Sequence, residues 1–279
     1  MAASSVVNDA AVVPKRKLGT AELLFRRADA MGLHPDWVTP DGLFAVRVGS
    51  REEYVNFARS PLNSHTSASL ARNKYLTRRI LERNNMKNIP FMLPVTHTDA
   101  VQFLTDHGKI IAKPISGSGA HDINIVTTAS QLMDLDIRKY ILEKYIVGKE
   151  LRYLVLNDSV IGMHVSEYGT SVAKDRPLER ISYPADEWGQ ALIDVALHVT
   201  HVLGLKFAAV DFILEDSGDA YILEVNTAPG LKWFHAPSSG PIVDVAGQFL
   251  EAVLTNADTD SSVIPAPRKF CADCIIYKD

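Results

Sequence analysis

Three oxygen-bearing side chains lie on two apolar runs late in the chain. Asp211 lies within 209–213, and Glu224 and Asn226 lie within 221–226. Because the side chains of a strand alternate between its two faces, a ribbon of these runs can bring all three onto one side. Carboxylate and amide oxygens suit Mg²⁺, which takes its remaining ligands from phosphates and water. The pattern predicts a metal site. The alternative is a half-solvated sheet face, but the neighbouring residues are apolar, and unpaired acids would be costly to bury among them.

Strict alternation also assigns the apolar residues of this ribbon to faces. On the first strand, the face opposite to Asp211 should carry Val210, Phe212 and Leu214. On the second strand, the face opposite to Glu224 and Asn226 should carry Tyr221, Leu223 and Val225. Residues 216–219 form the predicted turn between the strands.

A second group of residues could bind phosphate. Lys113 follows the apolar run 109–112, and beyond Pro114 comes a glycine-serine stretch of Ser116, Gly117, Ser118 and Gly119. A lysine at a strand end can reach a phosphate as a point charge, and glycine lets backbone amides approach an anion closely. No Gly-Lys-Ser/Thr follows, so the stretch is not a P-loop. By itself it could equally be a flexible connector.

The strand-like run 140–145 could border a nucleotide base. Its backbone groups could face an adenine edge, and the residues concerned are Glu143, Lys144, Tyr145 and Ile146. Beyond them, Glu150 could accept hydrogen bonds from ribose hydroxyls. Taken alone, this segment could also be a charged strand end, and Lys74 could be an ordinary lysine on a helix surface.

In their order along the chain, these pieces resemble the ATP-grasp superfamily. The matching pieces are Asn73-Lys74, Lys113-Pro114, 117–119, 143–146, Glu150, Asp211 and 224–226. The chain is most similar to ribosomal-protein glutamate ligases, the ATP-grasp domain of bifunctional glutathione synthetase, and cyanophycin synthetase. The resemblance covers about 67–254 and rests on seven pieces in the right order.

The resemblance implies roles for these residues. Lys74 and Lys113 would contact the phosphates of ATP, under a lid loop of Ser116, Gly117, Ser118 and Gly119. Glu143, Lys144, Tyr145 and Ile146 would border the adenine, and Glu150 the ribose. Asp211, Glu224 and Asn226 would hold one or two Mg²⁺ ions, with Mn²⁺ as an alternative metal. Arg152 would meet the phosphate or an acyl phosphate, and Lys174 and Arg176 would meet phosphate or substrate.

The resemblance also implies an activity, with Arg152, Lys113 and Asn226 as catalytic residues. A substrate carboxylate would attack the γ-phosphate of ATP, and an amine would then displace phosphate from the acyl phosphate to give an amide. Amino acids or peptides would be the substrates. The alternatives are a macrocyclase that closes side-chain bonds in a precursor peptide, a kinase acting on a hydroxyl, and a non-catalytic nucleotide-binding module.

The elements that must position these residues predict an α+β chain, and the resemblance implies an ATP-grasp fold in which two subdomains enclose ATP. Residues 1–17 are predicted to be a flexible tail, 18–66 a small N-terminal lobe, and 255–279 a peripheral tail. The ATP-grasp region, 67–254, is predicted to divide into 67–139 with the glycine loop and 140–254 with the metal ligands.

Apolar periodicity predicts the individual elements. The predicted helices cover 20–31, 67–84, 96–106, a short segment near Gln131, 187–203 and 242–254. The predicted strands cover 43–48, 54–58, 109–112, 123–126, 140–145, 208–215 and 221–226, with a hairpin over 151–166 that turns at Asn157-Asp158. Residues 49–51 form a predicted turn, and the charged segment 174–183 is predicted to be a loop.

Composition excludes some classes of protein. With 47% hydrophobic residues, 22% charged residues and a net charge of −4, the chain is of ordinary globular type and lacks the basic excess of a nucleic-acid protein. It shows neither a bilayer-spanning run nor a secretory signal, so a cytoplasmic enzyme without membrane or nucleic-acid partners is expected. Homo-oligomers would be compatible with the resemblance. The pair Cys271 and Cys274 could be redox-active or half of a zinc site, but is interpreted as incidental.

Overall fold

The computed structural model describes residues 19–40, 42–48, 51–117, 122–166 and 179–259. Several predictions from the sequence lie outside these residues: the tail 1–17, most of the turn at 49–51, Ser118, Gly119, Lys174, Arg176, and the pair Cys271 and Cys274. Among the described helices, none is long and apolar enough to cross a membrane.

Eight α-helices occur in the described ranges. They are α1 (Thr20–Ala30), α2 (His65–Arg72), α3 (Lys74–Arg83), α4 (His97–His107), α5 (Ala129–Met133), α6 (Gln190–Leu203), α7 (Lys232–His235) and α8 (Val245–Thr259). Thr96 and Asp99 form a capping box at the start of α4, close to the predicted start at residue 96. Gly204, with φ +66°, ends α6 after Leu203, where the predicted helix also ends.

Twelve strands in the described residues form three sheets. They are β1 (Asp36–Trp37), β2 (Leu43–Val48), β3 (Arg51–Asn56), β4 (Phe91–Met92), β5 (Ile110–Pro114), β6 (Asn124–Val126), β7 (Tyr140–Lys144), β8 (Lys149–Leu156), β9 (Ser159–Ser166), β10 (Arg180–Ser182), β11 (Phe207–Leu214) and β12 (Ala220–Asn226). The strand orders are β1-β2-β3, β4-β7-β5-β6 and β10-β9-β8-β11-β12. The α+β fold class predicted from the sequence is confirmed.

The single helix predicted over 67–84 is two helices, α2 and α3. Asn73 separates them in an extended conformation, and its side chain accepts a hydrogen bond of 3.0 Å from the N–H of Leu76, which caps α3. The N–H of Lys74 donates to the carbonyl of Ile115 at 2.8 Å. This hydrogen bond connects the first turn of α3 to the segment that leads into the glycine-serine stretch.

Other predicted boundaries need correction. The strand predicted over 54–58 is β3, which ends before Phe57 because that residue has φ +52°. The predicted loop 174–183 contains a strand, since β10 pairs with β9. The predicted helix over 187–203 begins only at Gln190, after Gly189 with φ +74°. The last helix begins at Val245 and not at residue 242.

Other elements cover one face of the five-stranded sheet and part of its other face. One face packs against α2, α3 and α6 through a core that includes Tyr153, Val210, Ala196 and Leu81. Part of the other face packs against α1, α7, α8 and the three-stranded sheet through Leu154, Phe207, Phe44 and Phe249, among others. The N-terminal residues therefore share a hydrophobic core with the large sheet.

The four-stranded sheet packs on α4 and α5 through one face, with Ile110, Ala112 and Leu142 in the core. Its other face turns toward the uncovered part of the five-stranded sheet, where Ile89, Ile146 and Ile213 meet. Because β7 belongs to the four-stranded sheet, the chain passes between the sheets after Lys144 and not at the boundary of 139 predicted from the sequence.

Candidate active site

One transverse row of the five-stranded sheet carries a set of polar and charged residues. Neighbouring strands place the following residues opposite one another, from β10 to β12: Ser182, His164, Arg152, Asp211 and Glu224. Residues directly opposite in antiparallel strands project from the same face. The sheet therefore brings Arg152, Asp211 and Glu224 together on one surface.

Arg152 and Asp211 form a bidentate ion pair. The Nε and Nη2 atoms of Arg152 donate to the two carboxylate oxygens of Asp211 at 2.6 and 2.7 Å. Burial opposes the charged form of Arg152, but Asp211 outweighs it, and the pKa of Arg152 is raised. The predicted metal ligand Asp211 and the predicted phosphate ligand Arg152 are thus direct partners.

A β-bulge at Leu223 places Glu224 beside Asp211. The register shifts between Asp211 and Phe212, which face Glu224 and Ile222, so Leu223 is the extra residue. Ile222 and Val225 pack in one core, whereas Leu223 and Tyr221 pack with Ile213 in another. The strict alternation predicted from the sequence is therefore wrong for this strand. Its main consequence nevertheless holds, because Glu224 shares a face with Asp211.

The carboxylate of Glu224 lies beside a second carboxylate, that of Asp211. Burial and the neighbouring Asp211 raise the pKa of Glu224, and this outweighs the effects of Lys74, Lys113 and Arg152. Asn226 lies opposite Ala209 on the same face of β12, and its Oδ1 accepts from the N–H of Ala228 at 2.9 Å.

The oxygens of Asp211, Glu224 and Asn226 are of the type that Mg²⁺ binds. No group of three His, Cys, Asp or Glu side chains suited to a metal occurs in the described parts of the chain. Asp211, Glu224 and Asn226 lie on one face of the ribbon, so together they could hold an ion that takes the rest of its ligands from phosphates and water. The residues thus fit Mg²⁺.

A buried carboxylate on β7 holds two cations. Glu143 is 1% exposed, and its Oε1 accepts from Nε of Arg78 at 2.7 Å. The Nζ of Lys113 lies 2.7 Å from Oε2 as an ion pair that is poorly aligned for a hydrogen bond. Burial would raise the pKa of Glu143, but Arg78 and Lys113 lower it to about 2. Glu143 therefore positions Lys113.

Arg78 joins the two sheets, and the sequence analysis did not identify it. Besides Glu143, it donates to the carbonyls of Ile222 and Leu223 on β12, at 2.5 and 2.9 Å, and to Oδ1 of Asn88 at 3.1 Å. Its position one helical turn after Lys74 was the available signal. Although it is a basic residue on a helix, Arg78 is buried, with only 3% of its surface exposed.

Lys74 lies between the glycine-serine stretch and the carboxylates. Its Nζ donates to the carbonyl of Gly117 at 3.0 Å. Burial and the charge of Lys113 lower the pKa of Lys74, against the opposing effect of Glu224. Lys74, Lys113 and Glu224 are therefore electrostatic neighbours, as a phosphate site requires.

A cleft of about 280 Å³ opens beside these lysines. Its walls come from both sheets and comprise Ile89, Ile111, Lys113, Glu143, Lys144, Tyr145, Ile146, Ile213 and Leu223. The N–H groups of Lys144 and Tyr145 already donate to the carbonyls of Pro90 and Lys109. The apolar walls suit a flat base. Because these two N–H groups are already bonded, backbone N–H donors for the edge of a base would have to come from Ile146 or later residues.

The remaining predicted residues are placed as follows. Glu150 lies opposite Ile213, a wall residue of the cleft. Ser116 is bridged to Asn73, and Gly117 has φ +132°. Ser118, Gly119 and Lys174 lie outside the described residues.

His164 is a second residue that the sequence analysis missed. It is 2% exposed and lies opposite Arg152 on β9. Burial, followed by the charges of Arg152 and Arg180, lowers the pKa of His164 to about 2. The imidazole is therefore neutral beside two arginines. Its alternation with buried apolar residues made it look like an ordinary strand residue.

Replacing Arg78 by Met should destabilise the protein strongly. The change leaves Glu143 with one cation and removes the donors of two β12 carbonyls, and breaking a buried pair costs about 3–5 kcal/mol. Urea unfolding would measure the loss. Arg79, in the same helix, is 58% exposed and pairs with Glu82 at 2.6 Å, so Arg79→Met should change the free energy of unfolding by about 0.5 kcal/mol or less. Equal losses in the two variants would contradict the linking role of Arg78.

His164 should make the protein less stable in mild acid. Below pH 6.5 the unfolded chain protonates this residue while the folded chain does not, so stability falls as pH decreases. The slope reaches at most about 1.4 kcal/mol per pH unit. His164→Leu should remove this part of the slope in unfolding curves between pH 7 and 5, whereas the exposed His198 offers a control, His198→Leu, that should retain it. An unchanged slope in His164→Leu would show that the buried imidazole is charged.

Known proteins show which family has this arrangement. A curated relative, D-alanine–D-alanine ligase of Trichlorobacter lovleyi, is 29% identical over 181 residues, which cover 59% of this chain and 53% of the relative. The tetrahydromethanopterin:alpha-L-glutamate ligase of Methanocaldococcus jannaschii is 24% identical over 220 residues, or 72% of each chain. The chain thus spans about half the length of the first relative.

Structural comparison shows the same fold. The macrocyclase MdnC of Microcystis aeruginosa, bound with precursor peptide MdnA, aligns with a TM-score of 0.61 at 12% identity, over 85% of this chain and 96% of its own. At that identity the likeness concerns the fold alone. The family model described as the ATP-grasp domain matches residues 71–230, more than half of the sequence. The chain therefore belongs to the ATP-grasp family.

Proposed function

We propose that this chain is an ATP-dependent ligase that joins a carboxylate to an amine through an acyl phosphate, with amino acids or peptides as substrates. The observation that carries the proposal is the meeting of Lys74 and Lys113 with Asp211 and Glu224 beside an apolar cleft. Cations and carboxylates so arranged suit a nucleotide triphosphate with its metal.

In this proposal the cleft binds the adenine between Ile111 of the small sheet and Ile213 and Leu223 of the large sheet. Glu150 binds the ribose, and Lys74 and Lys113 bind the phosphates. Glu143 has a different role from the one the resemblance implied, because both of its oxygens are engaged by Arg78 and Lys113. It holds Lys113 in position at the edge of the base site.

Asp211, Glu224 and Asn226 would hold Mg²⁺, which when bound neutralises charge on the phosphates. The substrate carboxylate attacks the γ-phosphorus, the bond to ADP breaks, and Lys113 and Arg152 stabilise the charge of the transferring group. The amine nitrogen then attacks the acyl carbon, its proton is lost, and inorganic phosphate leaves. The protein contributes mainly orientation and charge neutralisation.

Glu224→Gln should nearly stop turnover in a protein that folds normally. The variant keeps the size of the side chain but removes one negative charge at the metal site, and a loss of a few kcal/mol lowers the rate by roughly a hundredfold or more. ADP release at saturating Mg²⁺ would measure it, and Asn226→Ala should act in the same direction. Glu215→Gln, at the end of the same hairpin, is the matched control and should keep the wild-type rate. Full activity of Glu224→Gln would contradict the metal assignment.

The products should distinguish a ligase from other enzymes. ADP release should require both a carboxylate and an amine, and hydroxylamine should trap the acyl phosphate as a hydroxamate. A kinase would release ADP without a hydroxamate, and AMP with pyrophosphate would indicate an acyl adenylate. Mass spectrometry of products from amino-acid and peptide pairs would identify the bond. Either alternative outcome would reject the proposed reaction.

A further inference from the structure

Polar atoms without partners lie on β9 and β10, on the far side of the Arg152–Asp211 pair from the phosphate lysines. Within the described residues, Nε of Arg180 and both ring nitrogens of His164 are buried and have no hydrogen-bond partner. Buried polar groups are almost always bonded, so orphans of this kind call for a missing ligand or water. Arg180 and His164 project from the same face, because Ser182 lies opposite His164 and two residues after Arg180.

Arg180 is held in place by the segment that follows α7. Its N–H donates to Oγ of Ser238 at 3.1 Å, and its carbonyl accepts from the N–H of Ser238 at 2.8 Å. Its guanidinium stacks 4.5 Å from the ring centre of Trp233. Gly240 allows this segment to approach, since a Cβ there would lie 1.9 Å from the carbonyl oxygen of Ser182. This contact restrains the guanidinium and leaves Nε, which has no hydrogen-bond partner within the described residues, for a ligand.

Within the described residues, the charge of Arg180 is not balanced by an ion pair. No carboxylate in the described residues forms an ion pair with it, whereas Arg152 is already paired with Asp211. Burial, followed by repulsion from Arg152, lowers the pKa of Arg180 to about 10, against the attraction of Glu150 and Asp211. A further cation is close, because Nζ of Lys232 lies 5.1 Å from the centre of the Trp233 ring, which Arg180 also contacts. An anion at this position would therefore be favoured.

Arg180 lies away from the lysines that are proposed to bind the phosphates of the nucleotide. Four strand spacings of about 4.8 Å lie between β10 and β12, and the phosphate lysines approach from the β12 side, where Glu224 affects the pKa of Lys74. Arg180 and these lysines therefore flank Arg152 and Asp211 from opposite sides. A group that Arg180 binds belongs to the substrate, next to the reacting centre.

We propose that Arg180, held over the Trp233 ring and on the same face as the buried His164, binds a carboxylate of the substrate other than the one that reacts. A guanidinium edge matches a carboxylate with two parallel N–H···O bonds, and a neutral imidazole adds one donor without further charge. This inference rests on the proposed function, and it narrows the substrate to an acidic amino acid or a peptide with a free carboxylate near the new bond.

Binding of L-glutamate and L-aspartate, compared with L-glutamine and L-asparagine, tests the proposal. In calorimetry with the full chain, at least one acidic amino acid should bind more tightly than its amide. Arg180→Gln should weaken that binding by about tenfold to a hundredfold, the loss expected for hydrogen bonds to a charged group. Arg180→Lys should restore only part of it. Equal binding of acids and amides, or no effect of Arg180→Gln, would overturn the proposal.

Three controls keep the test decisive. Arg138→Gln removes an arginine whose side chain is 81% exposed, in the short 3-10 helix Ile137–Lys139 before β7, and should leave binding unchanged. Thermal melting would reveal whether Arg180→Gln folds poorly. Even in that case, Trp233→Leu should also weaken the binding of the acidic amino acid. If the amino acids do not bind, and inorganic phosphate binds to the wild type but not to Arg180→Gln, the proposal would be overturned in favour of a phosphate site.

The test separates this inference from the proposed function. If ADP release never depends on an amine but glutamate binding still depends on Arg180, the ligase proposal fails and the carboxylate site stands. If hydroxamate forms but Arg180→Gln changes neither the binding nor the KM of any acidic substrate, the ligase stands and the carboxylate site fails.

Discussion

The buried contact between Arg78 and Glu143 connects the parts on which the site depends. Arg78 reaches the bulged segment of β12 through two carbonyls, and Glu143 reaches Lys113 on β5. One guanidinium therefore sets the distance between the strand that carries Glu224 and the strand that carries Lys113. Removing Glu143 would leave the buried Arg78 without an ion-pair partner, and removing Arg78 would leave Glu143 with Lys113 alone, and either change is costly in a low-dielectric interior.

The same electrostatic constraint orders the rest of the site. Two acidic residues, Glu224 and Asp211, lie side by side between the cations Lys74 and Arg152. The charges are not fully paired at either end of this set. Glu224 lies next to the like charge of Asp211, whereas Arg180 carries positive charge without an ion-pair partner in the described chain. A metal with phosphates at one end and a carboxylate at the other would complete it.

Much of the local structure could be predicted from the sequence because it depends on short-range patterns. The capping box at Thr96, the stop at Gly204 and the turn at Asn157 follow from neighbouring residues alone. Errors arose where a distant contact overrides the pattern. Asn73 interrupts a helical period since its neighbour Lys74 bonds to Ile115, and β10 forms from a charged segment because β9 and Ser238 supply its hydrogen bonds.

By itself, the sequence determined the order of the chemical groups, the hairpin that carries Asp211, Glu224 and Asn226, and the resemblance to the ATP-grasp family. Only the tertiary structure decided which groups are partners. Arg78, His164 and Arg180 have no sequence pattern that separates them from surface or core residues, since their roles depend on strand register and on what packs over them. The bulge at Leu223 also could not be predicted from the sequence, because the pairing of β12 with β11, and not the periodicity of β12, determines where the alternation shifts.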